Sequence, residues 1–488
     1  MKRHLIQVSL LLILISFSAA AQAFAQEKKT EAPRKTKLSY TDYVNIIQEK
    51  LPELKKNRIQ VQLAKNTLYG ADAGDDTSLD YSFQYYREKP YSTNPGMQLD
   101  RTTGYSSSLG LSKRISRTGT LINSGIDYSS TSIKASSMGL DSTYYSPSLY
   151  LNVAQPVLKN AFGMVDRYAK NNAKMKLEIE KLRRAENDRV DMNYYRKLYF
   201  DWIETNERIS LLDRSITAAE KLHAQTRRKK ARGLADNDDV QKTLSALLAY
   251  REQREDARTT SRSIMKELEL YLDLSKFIPD TEELENLFKE SFRADFRDVP
   301  FNRTRTSAIF SLSKKNLEYT LKIAGNELLP EVYLTGGVTL KNQEDAPSTA
   351  ISEMDTLDYS VGVTVSYPLG NTGAKSAREE ARLNVEQINR EYDISRNSYR
   401  KGLTQILSSV EGYRSMYDLK RRNIASLKSR YATEKVKYGQ ARINLTYLVD
   451  TVNSMATEEI NLLLLKKQMI SLYIDYQDLT AQQGPEKE

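Results

Sequence analysis

The sequence predicts a mixed α and β membrane protein built from an internal duplication. Three observations support this prediction. The N-terminus is typical of an exported protein, two sets of strands alternate apolar and polar residues at membrane-spanning length, and each set is followed by unusually long helical segments. Over 488 residues, 28% are charged and only 20 are Gly and 12 are Pro. This composition favours long solvated helices over a thick core.

Residues 1–25 have the pattern of a signal peptide. Lys2 and Arg3 precede an apolar run at 5–17, and small residues allow cleavage after Ala25. The alternative, an uncleaved anchor, is disfavoured because the run is short for a spanning helix. Loss of the two basic residues takes the formal net charge from +10 to +8. The chain contains no Cys, so an exported protein of this sequence has neither disulfides nor a lipidated N-terminal cysteine, and we expect no nucleic-acid partner.

Two repeats follow the signal peptide. The first, at 26–278, consists of helices, strands at about 79–155 and long helices at about 164–273. A connector at 279–304 leads to the second, at 305–488, with strands at about 331–367 and long helices at about 374–482. Landmarks recur at nearly constant spacing between the repeats: Pro156 with Gly163 against Pro368 with Gly373, and Asp239 against Asp450. This recurrence indicates a duplication.

The strands carry the membrane prediction. Apolar residues alternate strictly with small or polar ones at Leu357, Tyr359, Val361, Val363, Val365 and Tyr367. A strand of a soluble sandwich is the alternative, but tyrosines at the strand ends favour the aromatic girdle of a membrane barrel. The first repeat has a surplus hairpin, at 104–116 and 120–131, which turns at 117–119. The sequence leaves open whether the barrel receives four or six strands from each protomer.

Two motifs in the helical regions give the chain a resemblance to the TolC-type outer-membrane efflux proteins, over about 38–484. Gly233-Leu234 followed by Asp239-Val240-Gln241 matches the family's first periplasmic tip. At the second tip Tyr438 and Asp450 match, whereas Ala441 replaces the family's glycine and Tyr447 replaces a second aspartate.

The resemblance implies a homotrimer whose β-barrel in the outer membrane continues into a long antiparallel α-helical barrel in the periplasm. It implies a passive exit duct of a tripartite efflux or type I secretion system, gated at its periplasmic tip. Its partners would be outer-membrane lipid, a periplasmic adaptor and an inner-membrane pump driven by protons or ATP. A periplasmic adaptor with an α-hairpin is the alternative, and a secreted hydrolase is a remote one. We expect no enzymatic activity, metal or cofactor, since no catalytic cluster is recognisable.

The candidate site residues fall into four groups. The resemblance places the pore constriction or gate at Asp450 and Tyr447, although Asp450 in a solvated helix turn is the simpler alternative. It places the adaptor-docking tips at Gly233, Leu234, Asp239, Val240, Gln241, Tyr438 and Ala441. A basic collar for steering an acidic partner is formed by Arg227, Arg228, Lys229, Lys230 and Arg232, although charge runs are usually solvated faces. The strand-to-helix junctions are Pro156, Gly163, Pro368 and Gly373. Asp236 or Asp238 is expected to cap a helix, and His223 to be an ordinary surface residue.

Overall fold

A computed structural model describes residues 36–89, 99–136, 139–440 and 442–481. The predicted signal peptide and Ala441 therefore lie outside the described residues. None of the helices in the described part is long and apolar enough to cross a membrane. The chain divides into two compact units. Among the described residues, the first comprises 36–52, Val190–Asp298 and Leu403–Leu479, and the second comprises Glu53–Arg189, Val299–Gly402 and 480–481.

Helices make up most of the described chain. Their bounds are α1 Tyr40–Lys50, α2 Pro52–Gly70, α3 Asp166–Ala231, α4 Asn237–Leu268, α5 Glu282–Arg293, α6 Arg305–Asn326, α7 Pro347–Ser352, α8 Thr372–Gly439 and α9 Leu445–Leu479. The 66 residues of α3 contain no Gly or Pro, which explains why this helix is not interrupted.

Strands occur in both repeats. Their bounds are β1 Thr36–Leu38, β2 Thr77–Glu88, β3 Arg101–Ile115, β4 Thr120–Ala135, β5 Leu140–Pro156, β6 Phe277–Pro279, β7 Glu331–Lys341 and β8 Thr356–Ser366. β1 and β6 form a short parallel pair in the first unit. The other strands form one six-stranded antiparallel sheet in the second unit, in the order β2-β3-β4-β5-β7-β8.

The surplus hairpin is part of this sheet. β3 and β4 coincide with the predicted strands at 104–116 and 120–131, and their turn contains Gly119 with a φ of +80°. The strands of the two repeats meet where β5 pairs with β7, with Leu151 opposite Val338. One chain therefore contributes six strands to one continuous sheet.

The two faces of the sheet differ in chemistry because the register keeps the alternation in phase across all six strands. One face carries large apolar side chains that are exposed, including Leu79, Tyr81, Phe83, Leu109, Leu111, Ile126, Leu149, Leu151, Val338, Tyr359, Val361 and Val363. The opposite face carries mainly Ser, Thr, Gly and Asp. Phe83, Tyr105, Tyr128 and Tyr145 lie ring to ring across neighbouring strands on the apolar face, with centroids 6.2–6.5 Å apart.

The junction from β5 to α3 is fixed by a glycine and an asparagine. Gly163 has a φ of +62°, and a Cβ at this position would stand 2.0 Å from the carbonyl oxygen of Ser116, in the turn region between β3 and β4. The side-chain oxygen of Asn160 accepts hydrogen bonds from the backbone N–H groups of Val165 (2.8 Å) and Asp166 (3.3 Å). These bonds satisfy donors that the first turn of α3 leaves unpaired.

In the first unit, helices pack along a narrow apolar seam. Leu212, Ile216 and Ala219 of α3 are buried against residues of α4 and α9: Leu247, Tyr250, Ala257 and Ala456. A larger aromatic cluster, with Tyr43, Tyr199 and Phe200 fully buried, anchors α1 against α3. Most of the remaining helix surface is polar, as the sequence composition predicts.

Candidate functional site

The first helix hairpin turns at Gly233 and Leu234. Gly233 has a φ of +70°, and the N–H of Leu234 donates to the carbonyl oxygen of Lys229 (2.9 Å), which closes the end of α3. Asp236 caps α4 by accepting from the N–H of Asp239 (3.0 Å). Of the two predicted capping candidates the structure thus selects Asp236. Val240 is half-buried, whereas Leu234 and Gln241 are exposed on the tip.

The second helix hairpin has a different turn. α8 ends at Gly439, and the side chain of Asn444 accepts from the N–H of Thr446 (3.0 Å) at the start of α9. Ala441, the substitution for the family's glycine, lies outside the described residues. Tyr447 and Asp450 are both exposed and stand three residues apart on α9, on one helical face, while Leu448 and Val449 are buried. Asp450 therefore points away from the packed side of its own hairpin.

Three side-chain contacts join the two hairpins near the tips. Lys229 places its Nζ 3.6 Å from the ring centroid of Tyr438 and donates to the Tyr438 carbonyl oxygen (3.3 Å). Lys242 donates to the hydroxyl of Thr446 (3.3 Å). Deeper in, Tyr250 donates to the side-chain oxygen of Asn453 (2.7 Å).

Two of these donor groups have raised pKa values. A hydrogen bond with Asp238 raises the pKa of the Lys242 ammonium above its usual value. Burial raises the pKa of the Tyr250 hydroxyl to about 12.

A groove of about 810 Å³ lies between the hairpins and is lined by both of them. Apolar side chains such as Leu448 and Val449 line part of it. Its charged lining is entirely basic: Arg214, Lys221, Arg228, Lys229, Arg232 and Lys435. Arg227 and Lys230, the other members of the predicted basic collar, do not line this groove. Lys229 differs from the rest of the collar because it is half-buried and held by Tyr438.

The two strand-to-helix junctions are not equivalent in their glycines. Gly163 occupies a left-handed conformation with no room for a Cβ, as described above. Gly373 lies in the first turn of α8, where a Cβ would meet open space. In the second repeat the left-handed residues are Gly370 and Asn371, which directly follow the Pro368-Leu369 segment. The turn thus depends on Gly370 rather than on the predicted Gly373.

Several contacts were not evident from the sequence. His223 is half-buried and its Nδ1 lies 2.9 Å from the hydroxyl of Thr243, so it joins α3 to α4 instead of standing on an open surface. The contacts of Lys229 and Tyr250 join residues some two hundred positions apart. No periodicity in the sequence reports such a pair. No group of three or more His, Cys, Asp or Glu suited to a metal occurs in the part of the chain that the structure describes.

Comparison with solved structures places this architecture among outer-membrane channels. One match is CusC, whose crystal structures describe conformational changes during folding and transmembrane channel formation. It has a TM-score of 0.65 at 10% identity over 92% of this chain and 94% of that chain. The outer membrane protein VceC from Vibrio cholerae matches with a TM-score of 0.63 at 10% identity, covering 91% of this chain and 96% of that chain. The CmeC outer membrane channel from Campylobacter jejuni gives 0.60 at 13% identity, with coverages of 92% and 87%.

The chain has the fold of these outer-membrane channels. The predicted resemblance to the TolC type is confirmed at the level of the fold. The similarity extends over more than nine-tenths of the chain, so the outer-membrane channel fold includes both repeats and both helix hairpins. No protein-family model and no curated protein matches the sequence.

Proposed function

We propose that the protein is the outer-membrane channel of a tripartite efflux or type I secretion system in a Gram-negative-type bacterium. Three copies close a β-barrel in the outer membrane, and their long helices form a tunnel that extends into the periplasm. The protein is a passive duct with no catalytic centre. Transport energy comes from an inner-membrane pump, which reaches the duct through a periplasmic adaptor.

The exposed apolar face of the six-stranded sheet is the observation that carries this proposal. Side chains such as Leu79, Val361 and Val363 are 65%, 81% and 66% exposed, and they belong to one contiguous face. A contiguous apolar surface of this extent needs lipid or a protein partner. The opposite face is small and polar, and Phe83, Tyr105, Tyr128 and Tyr145 form an aromatic row that crosses β2 to β5 on the apolar face. This combination is typical of membrane barrel walls.

The alternative of a periplasmic adaptor has less support. An adaptor would need one α-hairpin and no membrane-length sheet, whereas this chain has two helix hairpins and strands of both repeats in one sheet. The solved structures with this fold are named as outer-membrane proteins and channels.

The basic groove between the hairpins suits an acidic partner. Six basic side chains line it and no carboxylate does, so its field attracts negative charge. We assign this groove to the tip of the adaptor.

Charge reversal at Arg228, which lines the groove, should weaken adaptor binding and raise its salt sensitivity. Arg227→Glu is the matched control, because Arg227 is a neighbouring exposed arginine outside the groove. Equal effects of the two variants would contradict the assignment.

The contact between Lys229 and Tyr438 acts as a latch of the closed tip. Opening by separation of the two hairpins must break this contact and that of Lys242 with Thr446. A cation–π pair contributes from about 0.5–1 kcal/mol at an exposed site to about 2 kcal/mol when desolvated, and this half-buried pair would occur three times in the closed state. Lys229→Met and Tyr438→Leu should each raise single-channel conductance, and the double variant should add little to either one. Lys230→Met, a neighbour that bonds only within its own hairpin to Asn237, is the control.

Planar-bilayer recording tests the proposed activity itself. The purified protein should form channels of one conductance class, and deletion of its gene should sensitise the cell to exported compounds or abolish a secreted product. The proposal would be contradicted if the purified protein formed no channels in the bilayer and deletion of its gene left export unchanged.

A further inference from the structure

The surplus hairpin gives the proposed trimer a wider wall than a four-stranded protomer would. We propose that the wall contains eighteen strands and encloses a passage about 26 Å wide. This inference rests on the proposed function, since it assumes that three copies close the barrel.

Six strands of each protomer are continuous in register. Across the apolar face, one row runs through Leu79, Leu111, Ser124, Leu151, Val338 and Tyr359. β3 is paired with β4 over its whole length and with β2 over 102–113, and β4 is paired with β5 from Leu121 to Ala135. They are therefore integral strands and not a hairpin folded onto a four-stranded sheet. Their apolar side chains, such as Leu109 and Ile126, share the exposed face with those of β2 and β8.

The free edges of the sheet fit a second copy of this chain. β2 and β8 are the edge strands, with 12 and 11 residues, and neither contains a Pro. Because every neighbouring pair is antiparallel and the strands are six, β8 of one copy runs antiparallel to β2 of the next. Long apolar edge strands tend to pair with another strand. Closure of the sheet into a barrel leaves neither β2 nor β8 as an exposed edge. The occupant of each edge is therefore the complementary edge of a neighbouring protomer.

The strand number sets the width of the wall. Strands about 4.8 Å apart and tilted by about 40° give a backbone diameter of about 36 Å for eighteen strands and about 24 Å for twelve. Side chains on the inner face take about 5 Å from each side. The open width is then about 26 Å with the surplus hairpin and about 14 Å without it.

The polar face has features that keep the passage clear. A Cβ added at Gly125 would lie 2.6 Å from the hydroxyl of Tyr150, and one added at Gly110, a strand further on, would lie 3.1 Å from it. The ring of Tyr150 therefore lies across the two neighbouring strands, in space that the glycines leave free. Tyr86 does the same over Gly104, where its hydroxyl bonds Thr131 at 2.9 Å. These two tyrosine rings thus lie over neighbouring glycines of the sheet.

The difference in width is large on the scale of a protein element. A helix is about 10–12 Å across with its side chains, so about 26 Å has room for two packed helices, whereas about 14 Å has room for one at most. Small polar side chains such as those of Ser82, Ser108 and Ser148 line this part of the passage.

Removal of residues 101–135 provides the matched variant. This deletion takes out β3, β4 and their turn, and it joins Asp100 to Ser136, which are already in contact because the N–H of Ser136 donates to the Asp100 side chain (2.8 Å). β2 then lies next to β5 in antiparallel orientation with apolar faces matched, since Tyr81 and Leu149 belong to the same row.

The test measures which polyethylene glycols lower the conductance when they are added on the barrel side of oriented channels. We expect the unaltered protein to admit polymers up to about 2.6 nm across and the deletion variant to exclude those above about 1.4 nm. An equal cut-off for the two would overturn the inference. Should the variant fail to fold, electron microscopy of the unaltered trimer decides, because eighteen strands support the inference and twelve overturn it. Absence of any trimeric channel would instead refute the proposed function.

Discussion

At the residue scale, Asp450 is the side chain that we propose lines the constriction of the duct. It is exposed on α9, on the side opposite the buried Leu448 and Val449, with Tyr447 on the same face. In a trimer this carboxylate occurs three times near the tip. A ring of carboxylates in a constriction attracts cations and binds divalent ones.

Neutralisation of Asp450 should therefore weaken divalent-cation block. We expect Asp450→Asn to raise the Mg²⁺ concentration for half-block about tenfold, which corresponds to about 1.4 kcal/mol, and to increase conductance. Single-channel recording at graded Mg²⁺ measures this. Asp256→Asn, which removes an exposed carboxylate of α4 away from the tip, is the control and should change neither property. Unchanged block in the Asp450 variant would place this residue on a solvated turn away from the pore.

Glu204 is a buried carboxyl group in α3 that the proposed function does not use. It is 4% exposed, and its nearest cation is Arg208, with 3.7 Å between Oε1 and Nε. Burial raises the pKa of Glu204, while Arg208 and Lys467 partly oppose the shift. An acid whose pKa is higher in the folded state binds its proton more tightly there, so stability is greatest below the unfolded pKa of about 4.3 and falls as pH rises through the folded pKa.

Glu204→Gln should therefore stabilise the protein at neutral pH and have no such effect at pH 4. Thermal unfolding of the detergent-extracted protein at both pH values measures the difference. Glu252→Gln removes an exposed carboxylate of the same unit and should leave the thermal stability nearly unchanged at both pH values. If the Glu204 variant were equally stabilised at pH 4 and pH 7, the buried charge would not be the cause.

Local motifs in the sequence located part of the tips correctly, because caps and turns depend on neighbouring residues. Asp236 and Gly233 have the conformations that their residue types favour at a helix start and a helix end. The partners of Lys229 and His223 could not be predicted in this way. Their contacts depend on how separate helices pack against each other, and the sequence does not show which residues of two helices lie close together.

At the scale of elements, the junction from the first strand set to α3 depends on Gly163. Its left-handed φ and the 2.0 Å approach of the Ser116 carbonyl oxygen to an added Cβ exclude a larger residue. The turn region between β3 and β4 is thereby fixed against the start of α3. The sequence showed a glycine here in both repeats but could not show that Gly373 is in open helical space, because that depends on the backbone conformation.

Gly163→Ala and Gly373→Ala form a matched pair at this scale. Gly163→Ala should destabilise the protein by about 1–3 kcal/mol through backbone strain and the steric clash. Gly373→Ala should be neutral or stabilising by up to about 1 kcal/mol, since an alanine restricts the unfolded chain without strain in the helix. Chemical denaturation of both variants gives the comparison. If the two variants lost similar amounts of unfolding free energy, the junction would not depend on Gly163.

The sheet shows what the alternation of residues can and cannot predict. The period of two assigned β8 and the β3–β4 hairpin well, because the faces of a strand are set by its own sequence. The pairing of β5 with β7 joins segments on either side of two long helices, and only the folded chain shows it. For that reason the sequence alone left the number of strands per protomer open.

At the scale of the whole molecule, the six-stranded sheet has two features that a single copy of the chain leaves unsatisfied. The sheet leaves β2 and β8 as free edges and an extensive apolar face in contact with solvent. Both features are satisfied when copies of the chain close a barrel in lipid. The chain without its partners is expected to be poorly soluble, whereas the assembled form should resist heat and denaturants in detergent.

The proposal of a trimeric outer-membrane duct is tested most directly by the membrane fraction and the native mass of the detergent-extracted protein. We expect a stable species of three copies from the outer membrane. A monomer in the periplasm, or a species bound to the inner membrane, would contradict it.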